Sequence, residues 1–527
     1  MDFIKKLLQT NQERGRASIQ ITVENDFNLP DYEPDMIKLI DRKGSARIHE
    51  TRVEPDQVIV NGALLFQALY KCTESGNICS LQGDVPFTET IHMEGVQETD
   101  QLVLQSSMDD LTLGMINSRK LNVRALIELH VADQMEQQIE LPCGIENNTV
   151  QTLYEQQKML QLLTQKKDIC RIHSEILLPS NRPNISKLLW QCVQLRGLDS
   201  RIRSGEIELS GELLVNILYR SEEDEKQIQC METTVALHER ISCSVCDPET
   251  IFKLVPVQVQ LEVTPATDED GENRVLMLEG TLDFYLRVWR EENLQILQDA
   301  YSLLDELVLE REPVSLQSLL VKNDSKFKVA DQLQIENQPA EILQLCASVG
   351  EIFIEDSRIV PDGIEAEGIL KVRMLYITAS DDMPIGIAEG VIPFSRQIEA
   401  EGIHPDDTFE LSAGIDQLTV ILADNSQADI KAVIGLDAIV FRRQHNSMIT
   451  GISQQPVDLE QYEKQPGIAG YIVKAGDRLW DIAKEHHTTV SDVMQMNQLS
   501  SEHVSRGDKL LIVKQMGIQT NVLDNYP

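Results

Sequence analysis

The chain has 527 residues, 42% of them hydrophobic, and its 47 Lys+Arg against 85 Asp+Glu give a formal net charge of −38. That apolar content is ordinary for globular proteins and argues against a disordered chain, while the length predicts three or four domains. So negative a surface repels phosphate backbones and anionic lipid, which argues against nucleic acid as a partner and otherwise serves solubility.

The N-terminus, Met1 to Thr10, lacks the apolar core of a signal peptide. No run of residues approaches the roughly 18 apolar positions of a membrane span. The nine cysteines are scattered and odd in number, unlike a secreted disulfide framework. The expectation is a cytoplasmic chain with free thiols. Cys243-x-x-Cys246 stands alone without a His pair and reads as structural, with a redox or metal role left open.

Self-similarity organises residues 1–452. An apolar patch around Leu7-Leu8 is followed by Pro34, a second patch at Ile37–Ile40, and a long alternating strand from Val58 to Tyr70 with Gly62 inside it. The same order returns at Leu162-Leu163, Pro183, Ile185–Leu189 and Ile207–Tyr219 with Gly211. It returns again at Leu319-Leu320, Pro339, Ile342–Leu345 and Ile364–Tyr376 with Gly368. The Gly-to-Tyr distance is eight residues in each copy, and the Pro-to-Tyr distance is 36, 36 and 37.

In the second copy Ile207, Leu209, Leu213, Val215, Ile217 and Tyr219 fall on one face of the strand. Glu206, Glu208, Ser210, Glu212 and Asn216 fall on the other, interrupted by Leu214 and Leu218, which predicts a sheet with one largely wet face. The glycines predict a bulge where another backbone approaches closely. The tyrosines read as strand-end anchors, ring buried and hydroxyl at the rim. Pro86-Phe87 and Pro393-Phe394 follow in the outer copies, where the second has Ala236-Leu237. Further strands are expected at Leu121–Val131, Thr281–Val288 and Ile430–Phe441, and helical periodicity only in short stretches such as Tyr154–Gln165.

The expected architecture is mainly β: three tandem β-rich, sandwich- or barrel-like repeats at 1–146, 147–312 (divergent) and 313–452. Residues 453–469 are polar with two prolines and read as a linker, and 515–527 form a tail. Between them, 470–514 holds six basic and six acidic residues, so the acidity belongs to the repeats. In this last segment Tyr471–Lys474 and Leu510–Ile512 are short strands. Asp477 is read as the N-cap of a helix carrying Leu479, Ile482 and Ala483 on one face. Thr489 is expected to cap a second helix with Val493 and Met496 inward.

Tyr471, Val473, Gly476-Asp477-Arg478-Leu479-Trp480, Ile482-Ala483, Val493, Asn497, Gly507 and Leu510–Ile512 together resemble a LysM module, a small βααβ unit best known for binding N-acetylglucosamine polymers. With three Pro/Gly/Tyr repeats before it, the chain resembles the SPOCS-plus-LysM spore-coat morphogenetic proteins of endospore formers. That resemblance implies a protein of the mother-cell cytoplasm that coats the forespore surface. Its LysM would dock onto the coat-basement ATPase, SpoIVA or a protein like it, and its repeats would recruit other coat proteins or self-associate. It also implies a groove walled by Gly476, Asp477, Arg478, Leu479 and Trp480 on one side and Asn497, Gln498, Leu499, Gly507 and Asp508 on the other.

Glycan-binding modules of this type usually have Thr or Ser where this chain has Arg478. The guanidinium is either a solvated surface group or a contact for a partner's carboxylate. Trp480 is either half-buried packing or an exposed anchor. His486-His487 reads as a wet helix end. No phosphate-binding loop, zinc-protease motif or nucleophile elbow occurs, and no paired acid and base stands out among 85 carboxylates. The sequence therefore predicts no enzyme, no metal and no cofactor. The competing function is a peptidoglycan- or N-acetylglucosamine-binding protein of the wall or spore cortex.

Overall fold

The computed structural model describes residues 2–73, 77–147, 149–223, 227–335, 340–380, 382–424, 426–456 and 466–514. Pro339, most of the expected linker and the expected tail lie outside these residues. The described chain is mainly β, with two short helices confined to the C-terminal module.

Eighteen strands fall into three successive sets of six. The first comprises β1 (Phe3–Asn28), β2 (Met36–Glu54), β3 (Gln57–Cys72), β4 (Ile78–His92), β5 (Leu102–Asn117) and β6 (Lys120–Ile145). The second comprises β7 (Val150–Leu177), β8 (Ile185–Arg203), β9 (Glu206–Ser221), β10 (Ile228–Ser242), β11 (Ile251–Ala266) and β12 (Val275–Ser302). The third comprises β13 (Asp305–Gln334), β14 (Ile342–Val360), β15 (Gly363–Thr378), β16 (Ile385–Glu399), β17 (Thr408–Asp424) and β18 (Gln427–Pro456). Each set forms two antiparallel three-stranded sheets, ordered β2-β3-β4 and β1-β6-β5 in the first and correspondingly in the others. The two sheets of a set share one hydrophobic core, as Val60, Leu64 and Tyr70 of β3 do with Leu121, Val123 and Ile127 of β6.

The repeated sequence marks have distinct physical roles. Gly62 and Gly368 face β-bulges in β2 and β14, at Ile48/Glu50 and Ile354/Asp356. The rings of Phe87 and Phe394 lie over them from the paired strand, covering the gap that each missing side chain leaves. Opposite Gly211 the bulge is longer, between Arg196 and Asp199, and Leu237 takes the place of the ring. In the first two copies the Pro-to-Tyr spacing is a hydrogen bond: Tyr70 Oη donates to Pro34 O and Tyr219 Oη to Pro183 O, each at 3.2 Å, whereas in the third Tyr376 Oη donates to Ile387 O at 3.5 Å. Tyr70 and Tyr219 thus tie the far end of the strand to the turn that precedes β2 or β8.

The alternation in β9 holds on its inner face, where Ile207, Leu209, Leu213, Val215, Ile217 and Tyr219 are all buried. Its other face is not wet throughout, because Leu214, Asn216 and Leu218 are buried too. The reason is assembly. β4 lies against β8, β10 against β14 and β16 against β2, so the three sets close into a ring. Leu69, Leu218 and Leu375, at equivalent positions on β3, β9 and β15, meet in an apolar cluster with Ile78, Cys230 and Cys346. Polar side chains seal the seams: Gln67 Nε2 donates to Leu189 O at 3.1 Å, Gln194 Nε2 to Gly350 O at 3.0 Å, and Arg373 pairs with Asp41.

The first and last strands of each set run past their sheet as a two-stranded arm. β1 pairs with β6, β7 with β12 and β13 with β18, and each pairing has a register break at its root: Glu13/Gly15, Val288/Trp289 and Leu319/Val321. Leu8, Leu141, Met159, Leu294, Ile296, Leu316 and Met448 bring the three arms together in a second apolar cluster, and the arms form a stalk below the ring. The helical reading of Tyr154–Gln165 is therefore corrected, since these residues belong to β7. Met159, Leu160 and Leu162 are all buried because this strand packs against neighbouring arms on both faces, which breaks the two-residue period. The expectation of free thiols is corrected at one place: Cys243 and Cys246 form a disulfide in the turn after β10. The corresponding turns of the other sets carry the buried pairs Met93/Val96 and Ala400/Ile403.

Candidate functional site: the C-terminal module and its seat

The module consists of β19 (Ile468–Ile472), α1 (Leu479–Glu485), α2 (Val490–Met496) and β20 (Lys509–Val513), with the two strands antiparallel and Ile472 opposite Lys509. Val473, Leu479, Ile482, Ala483, Val493, Leu510 and Ile512 form its core. Thr489 caps α2 as its sequence position predicts, accepting from the Asp492 N–H at 3.0 Å. Met496, expected inward, is exposed.

Asp477 does not cap α1. The N-cap is Arg478, which makes no side-chain capping bond. The Asp477 carboxylate instead accepts from the Lys474 N–H and the Tyr471 hydroxyl, each at 2.8 Å, closing the turn that Gly476 enters at φ +91°. Those two donors hold its pKa below the usual carboxylate value. One residue of register separates cap from turn brace, and propensity alone does not distinguish them.

The two expected groove walls come together at Val473. Its N–H donates to Asp508 O at 2.9 Å and its carbonyl accepts from the Gly507 N–H at 2.8 Å. Gly476, Arg478, Gln498, Gly507 and Asp508 are exposed around this junction, and Asp477 is half-buried. Arg478 donates to both Asp481 oxygens, at 2.8 and 3.0 Å, an exposed pair of small energetic weight. Three expected groove residues are structural. Leu479 lies in the core, and Leu499 packs against it. Asn497 staples α2 to β20, donating to Val493 O and Leu511 O at 2.8 Å and accepting from the Leu511 N–H at 2.7 Å. His486 stacks edge-on against Tyr471, and burial pushes the His487 imidazole pKa down, so this helix end is not fully wet.

Trp480 faces the stalk. Its indole Nε1 donates to Asp299 Oδ2 at 2.8 Å, and Lys484 Nζ lies 2.8 Å from both Asp299 oxygens. Tyr301 meets the Trp480 ring edge-on with centroids 4.8 Å apart, and its hydroxyl donates to Thr488 O at 2.8 Å. Burial alone would raise the Asp299 pKa. The Lys484 and Trp480 hydrogen bonds overcome it and hold the carboxyl below its usual range. Desolvation pushes the Tyr301 phenol well up. Asp299 and Tyr301 were missed by sequence reasoning. Nothing in Leu297–Tyr301 marks them, because only the bulge at Leu297/Asp299 and the fold of the arm bring them to α1.

The chain matches the family described as SipL, SPOCS domain, over residues 35–116 and 341–423, and the LysM domain family over 471–513. The first match covers β2 to β5 and the second β14 to β17, with the middle set outside both. No curated protein matches the chain, and neither does any solved structure. SPOCS and LysM are binding domains, and finding both in one chain suggests a sporulation coat-associated, LysM-containing protein. Among the described residues no helix is long and apolar enough to cross a membrane.

Proposed function

We propose that this SPOCS-plus-LysM chain is a non-enzymatic adaptor of spore-coat assembly. It works in the mother-cell cytoplasm, encases the forespore, and docks through its LysM groove onto the coat-basement ATPase, SpoIVA or a protein like it. Its three six-strand sets are three tandem SPOCS-like repeats, each a two-sheet sandwich, with the middle one divergent. They are the platform that recruits other coat proteins or self-associates. The observation that carries the reading is the pairing of SPOCS matches at 35–116 and 341–423 with a LysM at 471–513 on one chain.

LysM as a class implies glycan binding and SPOCS a protein-interaction role in sporulation, so the ligand of this module is the point to decide. Arg478 favours protein, because it places an exposed guanidinium, with Asp481 beside it, where glycan-binding modules present a hydroxyl. The test is to offer the full chain insoluble peptidoglycan and, separately, the purified basement ATPase. Saturable binding to the ATPase with no sedimentation on peptidoglycan is expected. Tight sedimentation with no ATPase binding would replace the adaptor by a wall- or cortex-binding protein.

A further inference from the structure

Trp480 and Lys484 stand one turn apart on α1 and converge on one carboxylate of a strand. Tyr301, two residues beyond Asp299 and so on the same face of β12, adds an edge-on ring contact and a hydrogen bond to Thr488 O. Trp480 is left 8% exposed by this seat, whereas the Arg478 side chain keeps 64% of its surface. The groove is open and the α1 face beside it is closed.

The seat belongs to one arm only. All three arms carry a bulge near the tip, after Leu297 in β12, before Gly144 in β6 and before Gly451 in β18. The residue following the bulge is Asp299 in the middle arm and glycine in the other two. Two positions further on stand Tyr301, Glu146 and Ser453. Within the stalk Asp299 lies 3.8 Å from Arg311 of β13, and its shorter contacts are to Trp480 and Lys484. The middle arm alone carries a carboxylate and a phenol at the spacing that α1 reads.

We infer that the α1 face of the LysM is a recognition surface for an acidic side chain followed two residues later by an aromatic on an extended strand. The chain's own Asp299-Ala300-Tyr301 occupies it as an internal ligand. A partner that extends such a strand from the open groove onto α1 must displace this segment to reach Trp480 and Lys484, so the clamp lowers the affinity of the full chain for that partner. The partner in question is the protein ligand of the proposed function, on which this last step rests.

The clamp is tested without any partner by 5-fluorotryptophan labelling of the full chain. Its three tryptophans give three fluorine resonances, with Trp480 assigned by its loss in W480F. In the wild type the Trp480 resonance should show little solvent-isotope shift. In D299A it should move to a solvent-exposed position while those of Trp190 and Trp289 stay in place, and K484Q, which leaves the arm untouched, should move it the same way. A solvent-exposed Trp480 resonance in the wild type, or none displaced by either variant, overturns the inference. Titration with the basement ATPase then reads the consequence, with D299A expected to bind at least threefold more tightly than wild type. An opened module with unchanged affinity refutes the internal-ligand role. If neither wild type nor D299A binds the ATPase, the proposed function fails, and the fluorine result still decides the clamp.

Discussion

Replacing the repeated glycine by alanine in each copy should produce three different outcomes. A methyl at Gly62 would sit 2.6 Å from Arg47 O and 2.7 Å from Phe87 Cζ. At Gly368 it would press closer still on Phe353 O and lie 2.8 Å from Phe394 Cζ. Carbon–oxygen contacts settle at about 3.3–3.6 Å, so in both places a backbone carbonyl at a bulge must give way. A ring can swing, but the carbonyl cannot move without opening the bulge. At Gly211 the nearest atom, Arg196 O, is 3.2 Å away, the bulge is two residues long, and no aromatic ring overlies it. None of the three glycines has a left-handed φ, so the difference is purely steric. Overpacking costs roughly 1–3 kcal/mol, and Gly62→Ala and Gly368→Ala should fall at or above the top of that range. Gly211→Ala loses little to contact and regains about 0.4–1 kcal/mol from the stiffer unfolded chain, leaving it near neutral. At roughly 2–4 °C per kcal/mol for a unit of this size, circular-dichroism melts should show the outer variants lower by about 5–10 °C and Gly211→Ala close to wild type. A Gly211→Ala melt as depressed as that of Gly368→Ala, or a Gly368→Ala melt equal to wild type, would refute the bulge argument.

Truncating Leu213 or Leu370, both essentially buried, to alanine should cost about 2–5 kcal/mol in urea denaturation. Thr489→Ala should cost about 1 kcal/mol and fray α2. Asp477→Ala should lower the module's melting temperature without shortening α1, as hydrogen exchange of Trp480–Glu485 would show. The Asp299 clamp faces Lys484 and Arg311, and its carboxyl pKa lies below the ordinary 3.8. Its contribution is therefore fully present above that value and lost as pH falls through the lowered pKa, which the Trp480 fluorine resonance would follow.

Much of the fold was legible because its marks are local. The alternation of β9 reports its inner face, the Gly opposite a bulge reports close backbone approach, and in the first two copies the Pro-to-Tyr spacing reports a hydrogen bond from strand end to the preceding turn. The LysM was legible for the same reason, since its core positions and the Thr489 cap lie within 43 matched residues. What escaped depends on assembly. Leu214, Asn216 and Leu218 read as a partly wet face because the ring that buries them is closed by strands over a hundred residues away. The arms mimic helical periodicity because Met159 and Leu162 face different neighbours. Asp477 was misassigned by one position of turn geometry. In the module, the exposed residues proposed for the groove are local to its own segment, whereas Asp299 and Tyr301 reach α1 through a bulge and a long-range docking that no spacing encodes.

The central claim is that the groove around Arg478 docks protein. It is tested most directly by titrating the basement ATPase into the wild-type chain and into Arg478→Thr, with chitooligosaccharide titrated in parallel. The prediction is saturable ATPase binding that weakens severalfold in Arg478→Thr while the module's melt is unchanged, and no tight oligosaccharide binding by the wild type. ATPase binding indifferent to Arg478→Thr, together with tight oligosaccharide binding by the wild type, would contradict it and identify the module as a glycan reader.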